Sequence, residues 1–251
     1  MAKIIITGGN EGIGFYMTSQ FLSDGHIVSV LDISLDNLQD LKSMYNDALL
    51  LYECDVSDSE RVHLCVDDTI SVFGRVDYAI HNACKCLFTS FDETTNDDYK
   101  NVFDVNYYGA INLTRVVIPF MKKQSNGRIL YTSSGVGIMG FINISAYASS
   151  KGALESLAKC MNIEHQGTGI SFHLIHPPLT KTTSASPLPV PDEFKADPKK
   201  VGVGIAKRIH KEKFIICHSV AQQLQTRMAY ILSIKLGMFM SKMTSRQNME
   251  G

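Results

Sequence analysis

The sequence predicts a single α/β domain with a doubly wound, parallel sheet of seven strands and a helical C-terminal extension. Two observations support this fold class. Short apolar segments, many of them β-branched, alternate with longer segments whose apolar residues recur at helical spacing, a pattern typical of parallel sheets covered by helices on both faces. The length of 251 residues also suits one large domain of this class.

The first four predicted strands alternate with three helices. The strands are short apolar runs, which favour extended structure: Lys3–Thr7 (KIIIT), His26–Leu31 (HIVSVL), Ala48–Tyr52 and Asp77–His81 (DYAIH). The helices place apolar residues three or four positions apart: Gly12–Asp24, Leu35–Tyr45 and Ser57–Phe73, the last of which follows a capping sequence, Asp-Val-Ser-Asp.

The second half of the chain continues the alternation. Its predicted elements are helix Asn96–Lys123, strand Arg128–Thr132 (RILYT), helix Ser145–His165, strand Ile170–Ile175, helix Lys199–His210 and strand Lys213–Cys217 (KFIIC). Residues 177–198 hold six of the seven prolines and are predicted to be a loop, because proline fixes φ and lacks an N–H donor. A loop of this length within a compact domain is usually functional or disordered.

Composition excludes some function classes. The formal net charge of -1 argues against a nucleic-acid partner. The segment from Lys199 to Arg246 is nevertheless basic, with ten Lys and Arg and a single acid, Glu212. Six cysteines show neither CxxC nor zinc spacing, so we expect no metal site and interpret each cysteine as buried and inert. Without a secretory signal before Lys3, we expect a cytoplasmic protein with reduced thiols.

The stretch TGGNEGIG, residues 7–14, lies between the first predicted strand and helix. Gly8, Gly12 and Gly14 permit positive φ and close backbone approach, and free N–H groups at a helix N-terminus can bind a pyrophosphate. Asp32 ends the second strand, 18 residues after Gly14, where an acid binds the adenosine ribose of a dinucleotide. The stretch therefore predicts a dinucleotide site.

Three residues favour NAD over NADP as that dinucleotide. The Asp32 carboxylate can accept hydrogen bonds from a ribose 2′-hydroxyl but repels a 2′-phosphate. Glu11 adds a second acid within the turn, and Ile33 stands where a basic residue could bind a phosphate. The alternative interpretation of Glu11 is an acid that complements the helix dipole.

Tyr147 and Lys151 are predicted to share one helix face, since they are four residues apart. A nearby ammonium group favours phenolate, so we expect Lys151 to lower the pKa of Tyr147 and to prepare it for proton exchange with an alcohol or ketone. Such a pair alone is common on helix surfaces. Here Ser134 follows the strand RILYT, 13 residues upstream of Tyr147, and Asn106 lies 41 residues before it.

With these residues the chain resembles the short-chain dehydrogenase/reductase family, from about Lys3 to Thr182. The resemblance implies a Rossmann-type sheet and hydride exchange with a nicotinamide cofactor. The family's TG-x3-G-x-G pattern falls on Thr7, Gly8, Gly12 and Gly14. Its catalytic tetrad falls on Asn106, Ser134, Tyr147 and Lys151, and its acid and hydrophobic residue that contact the adenine fall on Asp55 and Val56.

The resemblance also implies roles. Tyr147 is the general acid/base, and Lys151 lowers its pKa and holds the nicotinamide ribose. Ser134, favoured by its spacing over Ser133, positions the reacting oxygen, and Asn106 supports a proton-relay water through a distortion of its helix. The implied cofactor contacts are Gly8, Asn10, Glu11, Gly12, Ile13, Gly14, Asp32, Ile33, Asp55, Val56, Asn82, Ala83, Val105, Tyr147, Lys151, Pro177, Thr180 and Thr182.

The chain departs from the family pattern in two loops. The family's Asn-Asn-Ala-Gly is His81-Asn-Ala-Cys84 here, and we expect His81 to be a packed or capping residue. The family's Pro-Gly turn is Pro177-Pro178, so that loop is expected to follow a different path. Ketosphingoid-type reductases of the family also have a Pro-Pro turn and a C-terminal tail, but they usually favour NADP, which Asp32 and Glu11 oppose.

Residues 219–251 form a predicted extension to the catalytic domain, residues 1–218. The extension is expected to be a helix that is apolar on most sides, and Lys235 interrupts it, so no membrane span is available. It could cover the substrate pocket as a Met-rich lid, pack in a subunit interface, or lie on an anionic membrane. Packing against pocket or partner subunit is favoured, because apolar helices are usually buried.

The function predicted from the sequence is NAD(H)-dependent interconversion of a secondary alcohol and a ketone, with a hydrophobic small molecule such as a lipid- or sterol-like ketone as substrate. The alternative is a non-catalytic NAD-binding sensor or scaffold, against which the complete catalytic tetrad argues. Resemblance to the family also implies a homo-oligomer, dimer or tetramer, whose dimer face uses Asn96–Lys123 and Ser145–His165.

Overall fold

The computed structural model describes residues 1–188 and 190–247, with side chains up to residue 242; Pro189 of the proline-rich loop and the end of the extension, 248–251, lie outside it. Seven strands form one parallel sheet in the order β3-β2-β1-β4-β5-β6-β7. The strands are β1 (Lys3–Thr7), β2 (Ile27–Asp32), β3 (Leu49–Glu53), β4 (Tyr78–His81), β5 (Gly127–Thr132), β6 (Ile170–Ile175) and β7 (Ile215–Ile216).

Helices cover both faces of this sheet. They are α1 (Gly12–Ser23), α2 (Gln39–Tyr45), α3 (Ser59–Phe73), α4 (Asn96–Phe103), α5 (Gly109–Gln124), α6 (Val136–Met139), α7 (Ser145–Glu164), α8 (Pro198–Ala206), α9 (Val220–Ile231) and α10 (Ser233–Gln247). The predicted fold class, a doubly wound parallel sheet of seven strands, is confirmed.

Side-chain alternation along β1 divides the core into two clusters. Ile5 packs in the cluster formed with α3, α5 and α7, whereas Ile4 and Ile6 pack in the cluster formed with α1 and α8. All three side chains are fully buried. Because successive strand residues point to opposite faces, three consecutive isoleucines are what a strand covered on both sides requires.

The strand order reverses at β1, which pairs with β2 on one side and β4 on the other. In such sheets the crevice beyond the carboxyl ends of the strands at the reversal is where ligands bind. The glycine-rich turn after β1 and the residues after β4 therefore meet at the position expected of a binding site.

The long helix predicted over Asn96–Lys123 is interrupted. A π-helical turn, Asp104–Tyr108, separates α4 from α5. The family resemblance implied a distortion here, while the apolar spacing did not, because one wide turn shifts the pattern by a single residue. The short helix α6 was not predicted, and β7 is shorter than expected.

The C-terminal extension differs from its prediction in two ways. It forms two helices with Leu232 between them, not one helix. Its burial is also incomplete, since up to residue 242 it has six large apolar side chains that are more than half exposed: Val220, Leu224, Ile231, Ile234, Met238 and Phe239. Among the described residues no helix is long and apolar enough to cross a membrane.

The second helix of the extension approaches the body of the protein closely at Gly237. A Cβ added there would lie 2.5 Å from the carbonyl oxygen of Met139, at the end of α6. Further along α10, the backbone N–H of Ile142 donates to the Ser241 hydroxyl at 3.2 Å. The extension thus packs on the segment that directly follows Ser134.

Candidate active site

The glycine turn after β1 has no room for side chains at its glycine positions. Gly8 and Gly12 have φ values of +67° and +54°, which side-chain-bearing residues rarely adopt. A Cβ on Gly14 would lie 1.9 Å from the carbonyl oxygen of Gly8. The turn leads directly into α1, and so presents its backbone to a ligand as a pyrophosphate site requires.

Asn10 ties this turn to the end of β2. Its backbone N–H donates to Oδ2 of Asp32 at 2.8 Å, and its side-chain oxygen accepts from Asn37 at 3.0 Å. Burial raises the pKa of Asp32, although backbone N–H groups from Asn10 and Ser34 act in the opposite direction. The carboxylate therefore lies beside the glycine turn, where the sequence placed the ribose-binding acid.

The other residues expected around Asp32 lie at the surface. Glu11 is exposed and caps α1 by position, without a side-chain hydrogen bond to the helix. The Ile33 side chain is 72% exposed, and Ile13 is partly buried. Segment 33–37 carries no Lys or Arg, so a 2′-phosphate beside Asp32 would find no cation on this loop.

Asp55 and Val56, the expected adenine contacts, follow β3. Oδ1 of Asp55 accepts hydrogen bonds from the N–H and the hydroxyl of Ser57, at 2.8 and 2.7 Å. Val56 is almost fully buried, and a Cβ on Gly109 would meet its Cγ2 at 2.7 Å. Val105, in the π-helical turn, packs against the same core cluster.

Asn82 connects β1, β4 and β5 at the switch point. Its amide nitrogen donates to the Gly8 carbonyl at 2.8 Å, and its amide oxygen accepts from the Thr132 hydroxyl at 3.1 Å. The N–H groups of Asn82 and Ala83 both donate to the Thr7 hydroxyl, at 3.1 and 3.2 Å. These bonds bring Asn82 and Ala83 to the glycine turn.

His81 extends this network to Asn106. Its Nε2 lies 3.2 Å from the carbonyl oxygen of Asn106, and its Nδ1 lies 3.1 Å from the Thr7 hydroxyl. Since a carbonyl only accepts, Nε2 carries the proton and Nδ1 accepts from Thr7. Burial, aided by the charge of Lys151, lowers the pKa of His81 to about 3, so the ring is neutral. The expectation that His81 is a packed residue is confirmed.

The π-helical turn directs Asn106 toward the loop after β4. Its Oδ1 accepts from the Lys85 N–H at 2.7 Å, and its Nδ2 donates to the Lys85 carbonyl at 3.0 Å and to Ser150 Oγ at 2.9 Å. The side chain is fully buried. Lys85 is therefore the residue that holds Asn106 with both of its backbone groups.

Tyr147 and Lys151 lie together on α7, with the ammonium nitrogen 5.6 Å from the phenol ring centroid. Lys151 is 1% exposed and donates to the Thr132 carbonyl at 2.8 Å. The expected lowering of the tyrosine pKa is wrong. Burial raises the pKa of Tyr147 well above its usual value, Cys84 and Cys86 raise it further, and a hydrogen bond from Ser134 only partly opposes them.

The two neighbouring serines after β5 face different partners. The Ser134 hydroxyl acts on Tyr147, whose pKa it lowers. The Ser133 hydroxyl instead donates to Oε1 of Glu155 at 2.5 Å and is almost fully buried. The role of Ser134 at the reacting oxygen stays a prediction, while the Ser133 hydroxyl is occupied by Glu155.

Cys84 and Cys86 also lie at Tyr147, which sequence reasoning missed. Their sulfur atoms are 3.6 Å apart, and both side chains are only partly buried. The expectation that every cysteine is buried is confirmed for Cys54, Cys65 and Cys217 but is wrong for these two and for the exposed Cys160; inertness stays a prediction. The Cys-Lys-Cys sequence was the available signal.

The proline-rich loop passes over the glycine turn. A Cβ on Gly12 would lie 2.9 Å from Cγ2 of Thr182. Thr180 is buried, donates to the Pro178 carbonyl at 2.7 Å, and pairs with Ala196 in a parallel bridge that closes the loop. Pro177 is partly buried beside them.

Comparison with known proteins identifies the family. The family model described as short chain dehydrogenase matches residues 2–190. The chain belongs to the short-chain dehydrogenase family. Its members are oxidoreductases that bind a nicotinamide cofactor, and the glycine turn with Asp32 fits such a group.

Two curated relatives of this short-chain dehydrogenase show the range of the family. This chain is 31% identical to the 3-oxoacyl-[acyl-carrier-protein] reductase FabG of Thermotoga maritima over 191 residues, which are 74% of this chain and 76% of the relative. It is 30% identical to the 3-dehydrosphinganine reductase of Danio rerio over 189 residues, 72% of this chain and 57% of the relative. The match to uncharacterized oxidoreductases of Mycobacterium spans 58% of their length.

Solved structures confirm the fold. A short-chain dehydrogenase from Streptomyces avermitilis superposes with a TM-score of 0.81 over 99% of both chains, at 24% identity. ElxO, solved with NADP bound, superposes with a TM-score of 0.75 over 86% of this chain and 94% of its own, also at 24% identity.

A buried carboxylate on α7 joins the C-terminal extension to the helix that carries Tyr147 and Lys151. Glu155, one turn after Lys151 on α7, lies 2.7 Å from Nε2 of His176 and accepts a hydrogen bond from the Tyr230 hydroxyl on α9. Burial by itself would raise the pKa of Glu155, but contacts from His176, Ser133 and Tyr230 outweigh it and hold that pKa below its usual value.

Proposed function

We propose that the chain is an NAD(H)-dependent dehydrogenase that interconverts a secondary alcohol and a ketone on a hydrophobic small molecule. The observation that carries the proposal is the convergence of Ser134, Tyr147 and Lys151 beside a glycine turn that fits a dinucleotide. Asn106 lies behind them on the π-helical turn. A binding protein would need the turn but not these four side chains.

The chemistry follows from the protonation state of Tyr147. Its raised pKa keeps the phenol protonated at neutral pH, so it can donate a proton to a carbonyl oxygen. Ser134 holds that oxygen by its hydroxyl, and the ammonium of Lys151 stabilises the phenolate that remains. When bound, the nicotinamide ring supplies the hydride. We therefore propose that Tyr147 donates this proton during ketone reduction and, as phenolate, takes one from the alcohol in the reverse reaction.

The choice of NAD rests on the loop after β2. Asp32 lies beside the turn, Glu11 adds negative charge, and segment 33–37 has no cation for a 2′-phosphate. The NADP bound to ElxO is a property of that protein. A hydrophobic substrate is supported by the relative that reduces 3-dehydrosphinganine and by the apolar extension packed on α6.

Dinucleotide absorbance with a panel of long-chain and cyclic ketones tests the activity. We expect Tyr147→Phe to reduce turnover by about a hundred- to ten-thousandfold, because it removes the proton donor, while NADH binding persists. If wild type and Tyr147→Phe bind NADH but differ on no ketone or alcohol, the chain is a sensor or scaffold instead.

A titration with NADH and NADPH tests the cofactor. We expect NADH to bind more tightly, and Asp32→Ser to reduce this preference. Asp36→Asn, an acid on the same loop that accepts from Ser34, is the matched control and should leave the preference unchanged. Tighter binding of NADPH by the wild type would refute the NAD assignment.

Assembly, location and the boundary at residue 218 are further parts of the proposal. We infer a cytoplasmic homo-oligomer that uses α4, α5 and α7 as its dimer face, as the family resemblance implies. Light scattering on the purified chain tests the homo-oligomer, and a monomer at micromolar concentration would contradict that part of the proposal.

A further inference from the structure

Two thiols lie side by side on the loop that follows β4. The sulfur atoms of Cys84 and Cys86 are 3.6 Å apart, and the two residues flank Lys85. Two residues span at most about 7 Å of extended chain, while the Cα atoms of a disulfide lie roughly 4.4–6.8 Å apart. A slight bend of the loop and rotation of the side chains would therefore bring the sulfurs into bonding distance.

Cys84 has the environment of a reactive thiol. A hydrogen bond from Cys86 lowers its pKa to about 6 against the opposing effect of burial, with Lys151 and Tyr147 acting in the same direction as Cys86. A thiolate is the nucleophilic form of cysteine. The pKa of Cys86 is raised, chiefly by its bond to Cys84 and by burial, so Cys86 retains its proton while Cys84 is charged.

The other cysteines of the described chain lack this combination. Cys54 and Cys65 are buried, and burial raises the pKa of both. Cys217 is buried with a raised pKa as well. Cys160 is exposed on α7 and is the natural control for simple accessibility.

The residue between the two thiols holds a member of the catalytic tetrad. The N–H and the carbonyl of Lys85 both bind the side-chain amide of Asn106, at 2.7 and 3.0 Å. Bending the loop to join the sulfurs would rotate these two backbone groups. It would also remove the Cys84 thiol, which influences the pKa of Tyr147.

We propose that Cys84 and Cys86 are a peroxide-sensitive dithiol whose closure to a disulfide switches the active site off. The Cys84 thiolate attacks the terminal oxygen of a hydroperoxide and the O–O bond breaks. Cys84 keeps the attacked oxygen as a sulfenic acid, while the other oxygen takes a proton and leaves as an alcohol or water. That step removes the charge that held the Cys86 proton. The Cys86 sulfur then displaces water to form the disulfide: two thiols lose two electrons, the peroxide gains them, and a dithiol reductant reverses the change.

Formation of the disulfide is tested by mass spectrometry, independently of any activity. Trypsin cleaves after Arg75, Lys85 and Lys100, so the reduced protein yields separate peptides 76–85 and 86–100. After mild hydrogen peroxide treatment of the full chain we expect these peptides to be joined, and to separate again with dithiothreitol. Cys84→Ser should abolish the joined product, and Cys86→Ser should leave a sulfenic acid on Cys84.

The switch itself rests on the proposed function and is tested by ketone reduction. We expect peroxide to lower the rate roughly tenfold to a hundredfold, since a small displacement in an active site has effects of this size, with recovery in dithiothreitol. Cys160→Ser should respond like the wild type. Oxidation of Cys160 while residues 84 and 86 stay reduced would overturn the dithiol, and a complete 84–86 disulfide with unchanged turnover would overturn the switch. If no ketone is reduced at all, the proposed function fails, and the peptide masses still decide the dithiol.

Discussion

The Tyr230 hydroxyl donates a hydrogen bond to Oε2 of Glu155, across 75 residues of sequence. Burial and this bond to a carboxylate both raise the pKa of Tyr230. Glu155 lies on the same helix as Lys151, so this bond ties the extension to the helix that carries Tyr147 and Lys151.

Removing the Tyr230 hydroxyl should destabilise the protein. A hydrogen bond to a charged, buried group contributes about 1.5–3 kcal/mol, so we expect Tyr230→Phe to lower the free energy of unfolding by about that amount in urea denaturation. Tyr45→Phe is the matched control, because the Tyr45 hydroxyl makes no hydrogen bond within the described part of the chain. An equal effect of both substitutions would show that the bond to Glu155 contributes nothing.

His81 should make stability depend on pH below neutrality. Its pKa is about 3 in the folded protein against 6.5 for a free histidine, so the unfolded state binds the proton first. The stability it contributes is complete above pH 6.5 and is lost as pH falls toward 3. Between pH 7 and pH 5 the wild type should lose about 2 kcal/mol through this residue.

The variant His81→Asn should lack this part of the pH dependence, although its lost hydrogen bonds make it less stable at pH 7. Denaturation curves at pH 7 and pH 5 give the difference. His63→Asn is the control, because His63 is largely exposed and its ion pair, with Asp67, lies at the surface. A wild type and a His81→Asn variant with the same pH slope would contradict the buried neutral imidazole.

Substitutions of Ser134 and Ser133 should have different effects: the first on turnover and the second on stability. Ser134→Ala removes the hydroxyl at Tyr147, and we expect ketone reduction to fall about a hundredfold with little change in unfolding. Ser133→Ala removes a bond to the buried Glu155, and we expect a loss of about 1–3 kcal/mol in stability with a smaller effect on turnover. Steady-state rates and urea denaturation of both variants check this, and the reverse pattern would make Ser133 the residue at the reacting oxygen.

Gly8 should tolerate no side chain, and Gly140 provides a control with the same φ of +67°. A Cβ on Gly8 would lie 2.6 Å from the backbone of Ala83, whereas one on Gly140 would meet nothing within 4 Å. The ψ of Gly140 is 166°, a combination that essentially only glycine adopts, so we expect Gly140→Ala to cost about 1–3 kcal/mol of backbone strain. Gly8→Ala should cost more and weaken NADH binding in a fluorescence titration. If both variants bind NADH equally well, the close approach at Gly8 is unimportant.

Local patterns predicted most of the fold, because strand and helix spacing are properties of neighbouring residues. The order of elements and the approach of Gly8 to Asn82 follow from that spacing and the rules of parallel sheets. The two helices of the extension were not predicted, since an apolar run does not indicate where a helix ends. Nor was the bond between Tyr230 and Glu155, which depends on how distant elements pack.

The sequence predicted which residues belong to the candidate site better than it predicted the burial and the charges around them. Spacing placed Lys151 beside Tyr147, but the pKa of the tyrosine is governed by burial and by Cys84 and Cys86. Those influences come from a loop more than 60 residues upstream. Their proximity is visible only after β4 and α7 are packed together.

The hydrogen bonds from Thr7 through His81 to Asn106 run in one direction. A neutral imidazole offers one donor and one acceptor, so position 7 must supply a proton and position 106 an oxygen. Serine at position 7 could keep this polarity, whereas valine would leave Nδ1 without its donor. A design that reproduces this site on another sheet must therefore keep three groups in place together: the hydroxyl at position 7, the imidazole at position 81 and the backbone carbonyl at position 106.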